Sequence, residues 1–568
     1  MDVSGPTWRN GRSGSDHIAK RLDRFLISGD LIDKIGRYRS WVSPVTASDH
    51  LLVTLQVDFQ YQRVNFPFKF NRIWLNDNDF KRDVERYWHS LDRDISGTLM
   101  ESFLRKLSLL KRFVINWVNC KKKALSLELT CVETEIAGLL ESTHFGPSPA
   151  ELDRLRLLRD RLDHILLIQE VTWRLKSRAL WIEAGDQNTK FFHAFANHRR
   201  NRNSIWHLQD PLDGTQATSQ GDLERAAFRH FKDFYKAVPS DIEAQVKVTR
   251  GIPRFFNDTE AEALDTPVLS KEVQDVIKQM DADKSPGPDG WPVEFISAFF
   301  HLLGPELHQM IEESRVRGTI TGTLNATFIT LIPKTEKPEL FSDFRPISLC
   351  NLVYKIISKI VSNRIKPLLA KYISREQFGF LPERQIIDAI GIAQESMHSI
   401  KTKRLQSLIL KIDLSKAYDR VNWDLLRLIL HQVGVPFNVI RWIMACVTTT
   451  TYAVLINGSP TQFFKAERGL RQGCPLSPLL FLLLIEGLSR MIRGGQENGT
   501  FRGINITRAL AITHLLFVDD IIIFGNSSIE EWHFLSTIFN LLMKWVSFLL
   551  EIHWCELISL FSWPLLHL

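Results

Sequence analysis

Two adjacent carboxylates, Asp519 and Asp520, interrupt an otherwise apolar stretch, AITHLLFVDDIIIFG, residues 511–525. The flanking runs have the length and branching of buried strands, which places the acids at the tip of a hairpin. One reading is a tight turn with its acids in solvent. A two-residue turn, however, ordinarily puts Gly or Asn where φ is positive, and neither Asp is followed by Gly. Like charges held at the end of buried strands repel unless a cation neutralises them, so a divalent metal is the expected partner. A further acid, Asp413, closes the strand-like run 405–414, before a turn and a helix expected to begin near Lys416. There it either joins the metal site or caps the helix. Tyr418 falls at the expected helix start, as a site residue or as plain core, and Asp419 reads as a surface or helix-supporting acid. In ERGLRQGCPLSPLLFLLLIEGL (467–488), Gly469 and Gly473 let the backbone approach a ligand, while Arg468, Arg471 and Gln472 offer donors. The alternative there is a Pro/Gly-rich entry into an apolar helix, with no ligand.

The elements that must position these residues emerge from patterning along the chain. Apolar residues recur every three or four positions from about Asp79 to Thr143 and again from about Ala150 to Ala184, with Lys and Arg between them, which predicts a long basic helical hairpin. A polar, strand-poor region extends to about Pro267. Helices are expected over 344–372 and 425–446, and strands over 405–414, 451–457 and 511–524. At 568 residues the chain should form two or three domains. Its net charge of +7 suits a polyanionic partner but is common elsewhere. The six cysteines are scattered, with no C-x-x-C pair, which argues against structural zinc and against a disulfide framework. The N-terminus lacks an apolar signal core, and the Leu-rich run 476–488 is too short to span a bilayer, so an intracellular protein is expected.

Taken in order, DLSKAYD (413–419), RQGCPLSP (471–478) and FVDD (517–520) resemble the motifs of reverse transcriptases. LIPKTEKPELFSDFRPISLCNLVYKIISKIVSNRIKP (331–367), KSPGPDGWP (284–292) and QFGFLPERQIIDAI (377–390) resemble the finger motifs of non-LTR, LINE-type elements. PFKFNRIWL (67–75) and RLKSRALWIEAGDQNTKFFHAFANHRRNRNSI (174–205) are similar to the linker of plant members. The resemblance implies an α+β fold with a right-hand palm and fingers. It also implies RNA-directed DNA polymerase activity, with an RNA template, a DNA primer and dNTPs as partners and no membrane association. Asp413, Asp519 and Asp520 would hold two Mg²⁺ ions, with Mn²⁺ as a substitute. Tyr418 would exclude a ribose 2′-hydroxyl, Gln472 and Gly473 would line nucleotide and template with Arg471 beside them, and Arg345 would contact the triphosphate or serve as a structural salt bridge. Basic residues of the hairpin and of HRRNRN (198–203) would track phosphates, or form solvated helix faces. Val518 stands where plant members usually carry Ala, a change not expected to remove metal binding.

The resemblance divides the chain into an endonuclease-like α/β-sandwich remnant (1–60), a basic helical linker (61–260), fingers (261–400), palm (401–544) and an aberrant apolar tail (545–568) with the thumb missing. In the first segment Asp23 matches the acid that orients a catalytic histidine, and Asp49 and His50 match the terminal catalytic pair; no endonuclease activity is expected. Two alternatives stand beside the polymerase: a catalytically dead fragment that binds nucleic acid at most, and a group II intron maturase. The endonuclease-like remnant and the plant-type linker argue against the maturase. The sequence sets neither template preference nor oligomeric state.

Overall fold

Helical periodicity dominates the first half of the described chain, and the second half mixes helices with two sheets. The computed structural model describes residues 7–9, 18–26, 37–43, 50, 52–58, 66–91, 97–142, 149–177, 203–210, 214–239, 241–507, 510–546 and 549–554. Near the N-terminus, strands β1 (Arg37–Ser43) and β2 (Leu52–Asp58) pair antiparallel along their whole length. Three helices follow, α1 (Asn78–Ser90), α2 (Leu99–Ser142) and α3 (Pro149–Ser177). The Asp77 side chain caps α1 by accepting from the Asp79 and Phe80 N–H groups at 2.9 and 3.1 Å. Helices α2 and α3 form the expected basic hairpin, cross-linked by Arg154–Glu135 at 2.7 Å and Arg161–Glu128 at 2.5 Å. Both pairs lie at the surface, so they orient the helices more than they stabilise them.

The linker is not a separate unit. Met100, Phe103, Leu107, Leu110 and Val114 recur at helical spacing on α2, and all are buried in the same core as the acid-bearing strands. That stripe packs on α5 (Phe300–Arg317), where Lys106 of α2 meets Glu306 at 2.7 Å. The polar region before Pro267 is helical too. Helix α4 (Gln220–Phe234) begins at Ser219, whose hydroxyl accepts from the Asp222 N–H, and the short helix Ile242–Arg250 begins at Asp241 in the same way.

Two sheets form around α6 (Leu352–Tyr372), α7 (Ile386–Lys403), α8 (Trp423–Gln432), α9 (Phe437–Thr448), α10 (Ser477–Glu497) and α11 (Ile529–Val546). Their longer strands are β3 (Ala326–Pro333), β4 (Phe344–Cys350), β5 (Leu408–Ser415), β6 (Thr451–Ile456), β7 (His514–Phe517), β8 (Asp520–Gly525) and β9 (Leu549–Trp554). In the first sheet β6 runs parallel to β3, and β4 flanks β3 on the other side. The helix expected over 344–372 therefore begins only at Leu352. FRPISLC is an edge strand, where Pro346 opposite Leu331 costs little because its missing N–H faces outward. Because β6 and β3 share a sheet, a boundary between fingers and palm at residue 400 does not separate two packing units.

The second sheet has the order β7-β8-β5-β9, all antiparallel. Alternation splits its faces. Leu410, Ile412, Leu414, Ile521 and Ile523 enter the main core. Ile409, Ile522 and Phe524 turn the other way, against Ala393 and Ile400 of α7. Asp413 and Asp520 share that second face at the far end of the strands. β9 corrects the expected tail: Leu549–Trp554 adds a strand to β5, with Glu551 opposite Asp413 in register. Among the described residues no helix is long and apolar enough to cross a membrane.

Candidate active site

Asp413 and Asp520 are direct cross-strand partners, since β5 and β8 pair from Gly525 opposite Leu408 up to Asp520 opposite Asp413. Directly opposed residues of an antiparallel pair present their side chains to one face, with Cβ atoms about 5 Å apart. Asp519 sits in the turn that joins β7 to β8, where Phe517 pairs with Asp520 and only Val518 and Asp519 intervene. This is a tight turn after all. Its positive φ, 63°, falls on Val518 rather than on either acid, so the turn needs no Gly after Asp. Burial raises the pKa of Asp519, and the charges of Asp520 and Asp413 raise it further against a backbone hydrogen bond that lowers it. The one cation paired with the acids among the described residues is Lys411, whose Nζ lies 4.0 Å from Asp520. No three His, Cys, Asp or Glu side chains among the described residues are drawn close enough to hold a metal ion as they stand. The donor set, three carboxylates that repel one another beside a single lysine, nevertheless fits a hard divalent cation.

No helix begins near Lys416. The strand runs on to Ser415, a single 3₁₀ turn spans Tyr418–Arg420, and α8 starts at Trp423 with Asn422 as its cap. Asp413 therefore caps nothing. The Tyr418 ring stacks on Phe481 of α10 with centroids 4.7 Å apart, and its hydroxyl is buried with no hydrogen-bond partner among the described residues. Burial raises its pKa, as does the charge of Asp519. Asp419 is not a surface acid: it is buried and accepts a 2.6 Å hydrogen bond from the Tyr235 hydroxyl, just beyond α4.

The glycine-rich loop is fastened to the same turn. The Gly469 N–H donates to Val421 O at 2.8 Å and the Leu470 N–H to Tyr418 O at 2.7 Å. Gly469 has φ 96°, and a Cβ there would lie 2.5 Å from Asp419 O, so only glycine fits. Gln472 is half-buried, its carbonyl accepting from Ser348 N–H of β4 at 3.0 Å, and Gly473 is exposed. Arg471 departs from expectation. Its guanidinium turns inward, donating to Asn325 Oδ1, to Thr327 Oγ1 at 3.3 Å and to Cys446 O at 2.6 Å, and lies 3.8 Å from the Tyr354 ring centroid. With its donors spent on protein acceptors it is an internal brace, not a nucleotide contact. Arg345 shows the opposite: it is exposed on edge strand β4, with no salt bridge among the described residues.

In the N-terminal segment His50 Nδ1 and Asp23 Oδ2 lie 2.9 Å apart, and this contact holds the Asp23 carboxyl below the usual range. Asp49 lies outside the described residues, as do residues 198–202 of the basic run.

Residues 332–552, which span all three acids, match the reverse transcriptase (RNA-dependent DNA polymerase) family. The chain carries a reverse transcriptase domain. Proteins of a transposon and of retrotransposable elements are among those it resembles. The 149 kDa protein of transposon TX1 from Xenopus laevis is 26% identical over 488 residues, covering 84% of this chain and 36% of the relative. The Pol polyprotein of retrotransposable element R2 from Popillia japonica is 22% identical over 275 residues, covering 48% of this chain and 37% of the relative. The chain thus spans little more than a third of either relative. An uncharacterised mitochondrial protein of Arabidopsis thaliana is 49% identical over 67 residues, 12% of this chain and 55% of that protein. The match to the reverse transcriptase family continues past residue 544 into β9. Sequence reasoning missed Gln377, which contacts the Val518 turn, and Tyr235, which contacts Asp419. Both contacts reach over more than a hundred residues of chain, so that even Gln377, first in the motif QFGFLPERQIIDAI, shows no partner in local spacing.

Proposed function

We propose that this chain is the RNA-directed DNA polymerase of a plant-type non-LTR retrotransposon, adding nucleotides from dNTPs to a primer 3′-hydroxyl on an RNA template. The observation that carries the reading is the register of Asp413 against Asp520, with Asp519 one residue away in the turn, inside the segment that matches the family. Asp413, Asp519 and Asp520 would hold two Mg²⁺ ions. Bound there, the ions supply charge neutralisation for the attacking 3′-oxygen and for the departing pyrophosphate. The protein's own part is placement. The sheet presents two carboxylates on one face, and the turn adds the third. The Tyr418 ring, braced on Phe481, occupies a fixed volume beside them, which is the volume a ribose 2′-hydroxyl would need. Gln472 and Gly473 offer a loop edge to nucleotide and template, and the exposed guanidinium of Arg345 suits a triphosphate.

The test is Mg²⁺-dependent dNTP incorporation by the full chain on a primed RNA. Asp519→Asn is expected to reduce incorporation at least ~100-fold, the scale on which misplaced or missing transition-state electrostatics act. Incorporation that survives Asp519→Asn would sink the assignment of the site. RNA binding with no incorporation by the unaltered chain would favour the catalytically dead alternative.

A further inference from the structure

The turn that carries Asp519 is held by a backbone conformation its own residue disfavours. Val518 has φ 63°, a region where a β-branched side chain is an outlier, so surrounding structure must impose it. Segment 376–379 does so. The Leu516 N–H donates to Glu376 O at 2.8 Å and the Phe378 N–H to Leu516 O at 2.9 Å, which lays Gln377 alongside β7 as a parallel bridge. The Gln377 side chain is completely buried, and its Oε1 accepts both the Val518 N–H at 3.1 Å and the Gly379 N–H at 2.9 Å. Two converging donors fix which end of the amide is oxygen. Its Nε2 is buried without a partner among the described residues, so the glutamine is kept there at a cost that simple packing would avoid. Gly379 completes the clamp, because a Cβ on it would overlap Val518 Cγ2.

The clamp is itself rigidly founded. Arg384 donates to the carbonyls of Ser374 and Gln377 at 2.5 and 2.7 Å, and the buried Glu486 of α10 accepts from the Ser374 N–H and hydroxyl at 3.1 and 2.6 Å. From this arrangement we infer that Gln377 and Gly379 are positioning residues for the reaction, which hold the Val518 turn in its positive-φ form and so set where Asp519 stands. The inference deepens the polymerase reading and rests on it for its kinetic consequence.

Gln377→Met removes the acceptor and keeps the bulk, and Gly379→Ala drives a methyl group into Val518. Val518→Gly removes both the conformational penalty and the obstructing Cγ2, so it should make either clamp residue dispensable. The six proteins are the unaltered chain, the two clamp variants, and the same three in a Val518→Gly background. In the Val518 background each clamp variant is expected to lower kcat roughly 100-fold, as small misplacements of reacting groups do, with the dNTP KM little changed. In the Val518→Gly background the loss should shrink at least ~10-fold, the signature of coupled rather than independent residues. Equal losses in both backgrounds, or no loss at all, overturn the inference. Urea midpoints of the six proteins give the same cycle without turnover. If the unaltered chain incorporates nothing, the polymerase reading fails on its own, and coupled or additive midpoints still decide for or against the clamp.

Discussion

Asp419 carries a charge the fold disfavours. Burial pushes its carboxyl up to about 6, although the Tyr235 hydrogen bond and the nearby charges of Lys416, Arg420 and Arg468 pull it down. A carboxyl whose folded value lies above its unfolded value of 3.8 contributes stability that is fully present below about pH 4 and is lost as pH rises through about 6. The loss is about 3 kcal/mol for a shift of this size, as an order of magnitude. An asparagine in place of the acid can still accept from Tyr235 and carries no charge to bury. Asp419→Asn should therefore gain stability relative to the unaltered chain between pH 4 and 6 and hold that gain above, read as urea midpoints across pH; a difference that does not vary with pH defeats the prediction. At this scale the sequence was informative about residue type and poor about partner. The three acids and Tyr418 could be singled out from motif spacing, because strand ends and turns are local properties. Arg471 could not be told from a ligand contact, since its acceptors on Asn325, Thr327 and Cys446 come from distant segments.

Among the elements, α2 is the one with two occupations. Its first half is buried against α5, while beyond Lys121, which pairs with Asp77 at 2.9 Å, it projects with α3 as an exposed hairpin of mixed charge that opens on Lys122 and Lys123. If that hairpin tracks phosphates, Lys122→Glu with Lys123→Glu should weaken binding to a primed RNA. The salt dependence of affinity should also fall, by roughly one unit of slope for each phosphate no longer neutralised. Stability should stay within ~0.5 kcal/mol, as both side chains are exposed. An unchanged slope in a filter-binding titration would mark the hairpin as a solvated face. The hairpin itself was legible from periodicity, because long amphipathic helices repeat one signal many times. The strand β4 was not. FRPISLC carries a proline and adjoins a strong helix, and only its pairing with β3 reveals it. The same holds for β9, whose apolar, charge-poor residues suggest no partner until β5 is seen beside them.

For the whole molecule, the main consequence of packing is that the sequence-derived segments are not independent. Phe80, Trp88 and Phe103 from the linker share one core with Trp291 and Phe295, with Ile412 of the acid-bearing strand, and with Leu483 of the apolar helix. The borders at residues 260 and 400 that the resemblance implies cut through that core, because motifs mark stretches of sequence and not which buried faces meet. One feature of the sheet extends this unity to the solution around it. Asp413 faces Asp520 across β5 and β8, and like charges directly opposed make a strand pair less favourable. A cation that settles between them binds the folded sheet and has no such site on an unfolded chain, so it acts as a ligand of folding, worth about 2.7 kcal/mol at a hundredfold excess over its dissociation constant. Urea midpoints should then climb with Mg²⁺ concentration and fall on chelation, and Asp520→Asn should flatten the climb; midpoints indifferent to Mg²⁺ would refute the linkage. If the proposed site takes the ion, magnesium would thus act as a fastener of the sheet, adding to the work needed to pull β5 and β8 apart.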